Sequence, residues 1–430
     1  MIWIYRLLFL PVFFLHLPFG WWRTRKRVGK KFWRERLGLL SLETTHRKRL
    51  WIHAVSVGEM QSLQPLVERI FADSRFDLVI SVTTTTGRAI AEKLYGKMAK
   101  IIYFPVDFCI CSACAWKNIR PNLAILCDSE LWPEHLHQAK RHSVPLWLIN
   151  GRISDRTFRR YRRFQRIAKW LWSHVSVTFP NGKEAAKRIE KFFPHGTVTD
   201  HGNLKCERKQ MVPLNSHERT ALLQELGLST GNNEQILFGC STWPGEEEVL
   251  IHVFEKLHQC DKNWRLILVP RHGERKDEIC AILRRKNIVY HVRSSGIAKE
   301  KNAMAALIDT TGELSSLIAL ATVAFLGKTL PPNGGGQSPL DAVAAAVPLV
   351  TGPNYSNFRE IVDELRIKNC LTVCRNREEV VEALQHLAHE KTLRQEIGKK
   401  MGDWLVKNSC ISQKIYEKIL NQFQLSRLSL

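Results

Sequence analysis

Carboxylates that follow the ends of apolar runs are the first candidates for chemistry. In WIHAVSVGEMQSLQPL, residues 51–66, an apolar run closes at Val55, and Ser56, Val57, Gly58 and Glu59 follow at once. One reading is a capping box, with Ser56 as N-cap and Glu59 three residues on. Pro65 opposes one long helix from Val57, because an interior proline removes a hydrogen bond. The other reading puts Glu59 at the tip of a strand-to-helix turn, where a carboxylate can take the proton of an attacking hydroxyl. Gly58 would then let the backbone approach a ligand. Both readings stay open. In CDSELWPE, residues 127–134, Glu130 again follows an apolar run, ahead of Trp132 and Pro133. It is either a second reacting carboxylate or an acid favoured at a helix start by the dipole. Asp128 and Glu130 could pass for a metal-binding pair. The chain holds no Asp-x-Asp, so no metal site is expected.

Cations and small-residue turns form a second set. HGNLKCE, residues 201–207, offers Lys205, which can neutralise charge developing on a leaving phosphate or can simply be solvated. In FGCSTWPGEEE, residues 238–248, Ser241 or Thr242 could cap a helix or bind phosphate. The acids Glu246, Glu247 and Glu248 in its first turn favour capping. LILVPRHGER, residues 266–275, ends an apolar run in Pro270 and Arg271, and an arginine there suits bidentate capture of phosphate or carboxylate. DTTGEL, residues 309–314, opens a helix. In PNGGGQSPLDAVAAAVPLVTGP, residues 332–353, three glycines allow close backbone approach. Ser338 is expected to cap a helix with Pro339 at N1 and Asp341 at N3. A Gly-rich turn into a helix is a phosphate cradle, and Asp341 could hold ribose hydroxyls.

Short apolar runs alternating with amphipathic segments must position these residues. Strands are expected at 50–55, 78–82, 101–104, 123–127, 145–149 and 175–179, with helices such as 87–95 and 182–192. A polar stretch at 205–216 reads as a linker. Strands resume at 235–239, 265–269, 288–291, 305–309, 323–326 and 347–351. Such alternation implies parallel sheets covered by helices on both faces. The chain's 430 residues suffice for two such domains, with a cleft between the carboxyl ends of their sheets.

Charge and composition narrow the partners. Sixty-four basic residues against 41 acids leave +23, which calls for an anionic partner. Eleven scattered cysteines suit a reducing compartment. Cys109, Cys111, Cys114 and Cys127 lack a second Cys-x-x-Cys arm and read as small buried residues. Residues 1–22 are apolar apart from Arg6 and His16, and Arg23, Arg25, Lys26, Arg27, Lys30 and Lys31 follow. This reads as a membrane anchor that either spans the bilayer or lies in its interface. Pro11 and Pro18 argue against a single regular helix. The basic stretch 23–36, with Phe32 and Trp33, would rest on anionic headgroups, and the remaining chain would be cytoplasmic.

Taken in order, HAVSVGE, SELWP, GNLK, LVPRH, TGEL, the SPLD segment and GPNYSNF resemble the transferases of 3-deoxy-D-manno-octulosonic acid (Kdo) in lipopolysaccharide synthesis, along essentially the whole chain. The resemblance implies an α/β chain of the GT-B fold, with two Rossmann-like domains. Its parts would be an anchor (1–22), a basic membrane-proximal segment (23–49), an acceptor domain (50–210), a CMP-sugar domain (211–410) and a carboxyl-terminal helix (411–430). It implies inverting, metal-independent transfer of Kdo from CMP-Kdo to a lipid A precursor at the inner membrane. No cofactor and no nucleic-acid partner are expected, and anionic inner-membrane lipids are. Carried over by position, Glu59 is the general base, and Glu130 and Lys205 stabilise the transition state. Pro270, Arg271, Gly312, Glu313, Leu314, Ser338, Pro339, Leu340 and Asp341 bind the CMP portion. The family commonly has Gly-Gly-His-Asn-Pro-Leu-Glu where this chain has Gly335-Gly336-Gln337-Ser338-Pro339-Leu340-Asp341, which puts the roles of Gln337 and Ser338 in question. Two rivals remain. One is another GT-B enzyme using a UDP-sugar, such as a lipid A disaccharide synthase or an epimerase. The other is a basic membrane-surface or RNA-binding protein, which would bind nucleic acid generally and salt-sensitively.

Overall fold

Apolar runs with no polar face become strands covered on both sides. Leu50, Trp51 and Ile52 are all buried, as are Leu123 to Cys127 and Val323 to Leu326. The computed structural model describes residues 1–24, 29–193, 196–199, 202–228, 233–298 and 302–424. Arg25, Lys26, Arg27, His201 and the last six residues of the carboxyl-terminal segment lie outside them. The chain forms two units, Met1–Glu207 with Asn408–Leu430, and Arg208–Lys407.

In the first unit the described strands are β1 (Lys48–His53), β2 (Phe76–Val82), β3 (Lys100–Tyr103), β4 (Leu123–Cys127), β5 (Leu146–Gly151), β6 (Val177–Pro180) and β7 (Thr197–Val198). They form a parallel sheet in the order β3-β2-β1-β4-β5-β6-β7. In the second unit β8 (Gln235–Thr242), β9 (Trp264–Pro270), β10 (Tyr290–Val292), β11 (Ala305–Leu307), β12 (Val323–Leu326), β13 (Leu349–Thr351) and β14 (Leu371–Val373) run in the order β10-β11-β9-β8-β12-β13-β14, again parallel. Each sheet reverses its winding once, between β1 and β4 and between β8 and β12. Ligands of open parallel sheets bind outside the carboxyl ends of strands at such a reversal.

The carboxyl-terminal helix Ile411–Gln422 packs in the first unit. Arg69 there donates to Ser412 (3.0 Å) and Gln413 (2.7 Å), and Tyr416 donates to Asp73 (2.9 Å).

The amino terminus departs from expectation. One helix, Ile2–Thr24, runs through both Pro11 and Pro18. Pro11 deprives the carbonyl of Leu7 of its donor, and Leu7 lies on the side turned away from the first unit. The opposite side is fixed to the first unit: Phe13 stacks on Phe108 (3.9 Å between centroids), and Tyr5 and Arg6 reach buried acids. Among the described residues no helix is long and apolar enough to cross a membrane. The following helix, Lys30–Arg36, exposes Lys30, Lys31 and Arg34 but turns Phe32 and Glu35 inward. Phe32 meets Tyr103 edge-on (4.6 Å), and Glu35 pairs with Arg88 (2.5 Å). Phe32 therefore packs on the protein, where the sequence had placed it on headgroups.

Candidate active site

Glu59 sits just beyond β1, in the helix Val57–Ser62, and is only 7% exposed. Its N–H donates to Ser56 Oγ (3.2 Å), while its carboxylate accepts from Ser56 Oγ (2.7 Å) and from the Val55 N–H (2.8 Å). The side chain thus caps its own turn. Pro65 raises no conflict, because the helix stops at Ser62 and a second one, Gln64–Ala72, starts with the proline in its first turn. Capping does not exhaust the carboxylate. Two oxygens offer about four lone-pair sites, and two are used. Gly58 opens onto free space, with nothing within 4 Å of where a Cβ would stand.

Glu130 follows β4, the neighbour of β1. It is no helix-start acid: the helix Pro133–Arg141 begins three residues later, and Glu134 occupies its first turn. Glu130 is half-buried and accepts from Trp132 Nε1 (2.7 Å). Burial pushes its carboxyl above the usual range, and the charges of Glu59 and Asp128 add to the rise. Asp128 is buried with a left-handed backbone (φ 64°) and is paired with Arg152, so an arginine already takes the acid beside Glu130.

Lys205 lies in the 3₁₀ turn Leu204–Cys206, which packs against the helix of Glu59. Asn203 caps the turn by accepting the Lys205 N–H (3.0 Å). Asn150, at the end of β5, accepts the Leu204 N–H (3.3 Å). Among the described residues Lys205 is half-buried and makes no ion pair. Glu59, Glu130 and Lys205 are therefore gathered at the carboxyl ends of the adjacent strands β1, β4 and β5, astride the reversal of the first sheet.

In the second unit Pro270 ends β9 and Arg271 follows it, exposed and without an ion pair among the described residues. The arginine held in a salt bridge is Arg275, on Glu247 (2.7 Å) and Glu278 (2.9 Å). Gly312 has φ 95° and open space around it. Glu313 is engaged: Arg293 pairs with it (2.9 Å) and Thr310 donates to it, and these bonds hold its carboxyl below the usual range. Leu314 opens a helix of four residues, Leu314–Leu317.

Around Ser338 the structure corrects the expected cap. The helix is Leu340–Ala344, Pro339 is its N-cap, and Ser338 Oγ accepts the Leu340 N–H only at 3.4 Å. Asp341 already accepts from Arg208 and from Ser315 (2.9 Å). Two of the three glycines of this segment serve close approach to the protein itself, while Gly334 has open space around it. A Cβ on Gly335 (φ 105°) would stand 2.6 Å from Asn357, and one on Gly336 (φ 72°) 2.9 Å from Tyr355. Ser241 and Thr242 do not cap the helix Glu246–Cys260, whose N-cap is Gly245. Glu246 takes that task, accepting the Trp243 N–H at 2.9 Å.

Residues the sequence reading missed are Asp107 and Asn150. Each is a buried polar side chain that accepts backbone N–H groups of a distant motif.

Residues 31–208 match the family model described as 3-deoxy-D-manno-octulosonic-acid transferase (kdotransferase). The 3-deoxy-D-manno-octulosonic acid transferase of Haemophilus influenzae is 27% identical over 372 residues, covering 86% of this chain and 86% of its own. The transferase of the same name from Rickettsia bellii is 28% identical over 398 residues, 88% of each chain. Among solved structures, the UDP-GlcNAc 2-epimerase of Neisseria meningitidis bound to UDP-GlcNAc superposes with a TM-score of 0.62, at 10% identity. It covers 87% of this chain and 100% of that one, a likeness of fold.

Proposed function

We propose, from the premise that this chain is a glycosyltransferase of the Kdo transferase family, that it moves Kdo from CMP-Kdo to a lipid A precursor in lipopolysaccharide synthesis. The observation that carries the reading is the gathering of Glu59, Glu130 and Lys205 at the carboxyl ends of β1, β4 and β5.

The chemistry fits the groups. Departure of CMP leaves an oxocarbenium-like sugar that bears a carboxylate, so the protein must supply one base and cations rather than a nucleophile. Glu59 takes the proton of the lipid hydroxyl through a lone pair its capping bonds leave unused. Lys205, without an ion pair among the described residues, offers its charge to the negative charge that develops. Glu130, whose carboxyl is pushed up by burial and by the neighbouring charges of Glu59 and Asp128, gives up its proton less readily than an ordinary carboxyl. Pro270, Arg271, Gly312 to Leu314 and Ser338 to Asp341 hold CMP. Arg271 makes the phosphate contact. At Glu313 and Asp341 the carboxylates are already bonded, so these segments contribute shape and backbone groups more than free acids.

The amino-terminal helix lies in the membrane interface. Trp3, Ile4, Leu7, Leu8, Phe14 and Leu15 form one exposed apolar face, opposite the side docked through Tyr5, Arg6 and Phe13. The exposed Lys30, Lys31 and Arg34 suit an anionic leaflet. The catalytic units work at the cytoplasmic face of the inner membrane, where a phosphorylated lipid acceptor is presented.

Incubation of detergent-purified protein with CMP-Kdo and a tetra-acylated lipid A precursor tests this by mass spectrometry. The lipid should gain mass in whole Kdo units, and their number shows whether the enzyme acts once or repeatedly. No gain, together with thermal stabilisation by UDP and none by CMP, would move the chain to the UDP-sugar enzymes.

A further inference from the structure

The proposed function leaves a buried polar cluster at the start of the helix Pro133–Arg141 without a role. That helix carries no cap of its own, for its N-cap is Trp132. Asp107, 4% exposed and far away in sequence, supplies one. Its Oδ1 accepts the N–H groups of Glu134 (3.1 Å) and His135 (3.0 Å). Its Oδ2 in turn accepts the Tyr5 hydroxyl (2.7 Å). Glu134, fully buried, receives both Nε (2.9 Å) and Nη2 (2.7 Å) of Arg6 in a fork, and Gln138 Nε2 (3.0 Å) besides. Tyr5 and Arg6 are neighbours on the docked side of the amino-terminal helix. The clamped turn begins directly after Trp132, whose indole holds the carboxylate of Glu130.

A buried acid is costly unless paired, and a two-pronged arginine fixes its partner's direction as well as its charge. A membrane anchor alone needs neither feature. We infer that Tyr5 and Arg6 are positioning residues for the transfer reaction: through Asp107 and Glu134 they fix the turn that sets Trp132 and Glu130. The amino-terminal helix thus orders the catalytic segment it touches, in addition to holding lipid. The inference rests on Glu130 belonging to the reacting site.

The test compares full-length Tyr5→Phe, Arg6→Gln and Arg6→Lys with the parent in detergent, with CMP-Kdo and the lipid precursor as substrates. Amide hydrogen exchange at Glu134 and His135 reads the clamp, and kcat and KM read its consequence. Both amides should exchange faster in Tyr5→Phe and Arg6→Gln. kcat should fall by about tenfold to a hundredfold, the scale of small misplacements. KM for CMP-Kdo should stay within about twofold. Arg6→Lys, which keeps the charge and loses the fork, should fall between. If Arg6→Gln does not fold, Tyr5→Phe decides, since it removes a single oxygen. Unchanged exchange, or faster exchange with unchanged kcat, or a loss confined to donor KM, overturns the inference. A parent protein that transfers no Kdo overturns the functional reading instead, and the exchange arm still decides the clamp.

Discussion

The carboxylate of Glu246 accepts the backbone N–H of Thr329 at 2.8 Å, although the two residues lie 83 positions apart. It also takes the N–H groups of Lys328 (2.8 Å), Leu330 (3.1 Å) and Trp243 (2.9 Å). One buried acid thus ties the turn after β8 to the turn after β12, the two strands that flank the reversal of the second sheet. The Gly-rich segment grows out of the second of these turns.

Replacing Glu246 with Gln should be severe despite the equal size. The amide NH2 would point donors at donors and strand buried N–H groups, each costing about 1–3 kcal/mol. A loss of about 3 kcal/mol is expected, read as a fall in the denaturation midpoint with unchanged m-value. CMP should lose its ability to raise the melting temperature. A variant as stable as the parent would mean that the two turns hold without this tie.

Capping and catalysis at Glu59 separate by substitution. Ser56→Ala removes the cap and should cost about 1 kcal/mol of stability with little effect on turnover. Glu59→Ala should lower kcat by about 10²–10⁴, the usual worth of a general base, and leave CMP binding intact. Near-normal Kdo transfer by Glu59→Ala would reduce Glu59 to a cap.

Two buried histidines set an acid limit. Burial, with the nearby Arg36 charge adding to it, pushes His53 and His135 down to about 3. Their folded values lie below the unfolded 6.5, so the fold holds them neutral. That stability is present above pH 6.5 and is lost as pH falls from 6.5 towards 3. Asp107 works the other way, since burial raises it to about 6. The fold prefers it protonated, and stability rises as pH falls from about 6 towards 3.8. One histidine is thereby offset. Between pH 6 and 4 these three groups together should contribute a loss of about 1.4 kcal/mol per pH unit, the slope for one proton. His53 stacks on Phe104 (3.6 Å between centroids), and its buried Nε2 has no hydrogen-bond partner among the described residues. His53→Phe should therefore keep the stack and flatten the acid limb of melting temperature against pH. An unchanged limb would place the acid sensitivity elsewhere.

What the sequence discloses follows the range of the interactions involved. β4 and β12 stand where their apolar runs say, because a strand buried on both faces is written in consecutive residues. β7, with two residues, and β14, with three, escape notice because so short a run has no pattern. The positions of Glu59, Glu130 and Arg271 are legible as residues that follow strand ends. Their neighbours are less so. The acid that caps the helix Pro133–Arg141 is Asp107, 27 residues upstream of Glu134, and no local spacing announces it. Prolines mislead at the amino terminus because docking through Tyr5, Arg6 and Phe13 outweighs two lost hydrogen bonds. The glycines at 335 and 336 look like a ligand cradle, but their room is taken by Asn357 and Tyr355.

The exposed face of the amino-terminal helix yields the last expectation. Leu7 and Leu8 are 72% and 68% exposed, on the side away from Asp107 and Glu134. Sinking a leucine side chain into lipid contributes about 1.5–3 kcal/mol. An aspartate at the same depth reverses the sign and repels anionic headgroups. Leu7→Asp with Leu8→Asp should therefore weaken binding to anionic vesicles by about a hundredfold or more, measured by flotation. The docked side is untouched, so turnover of a detergent-dispersed acceptor should persist. Raised salt should weaken the parent's binding only in part, because it screens Lys30, Lys31 and Arg34 and leaves the apolar contact in place. If the double variant floats with vesicles as the parent does, the helix does not face lipid, and its apolar residues cover a protein surface instead.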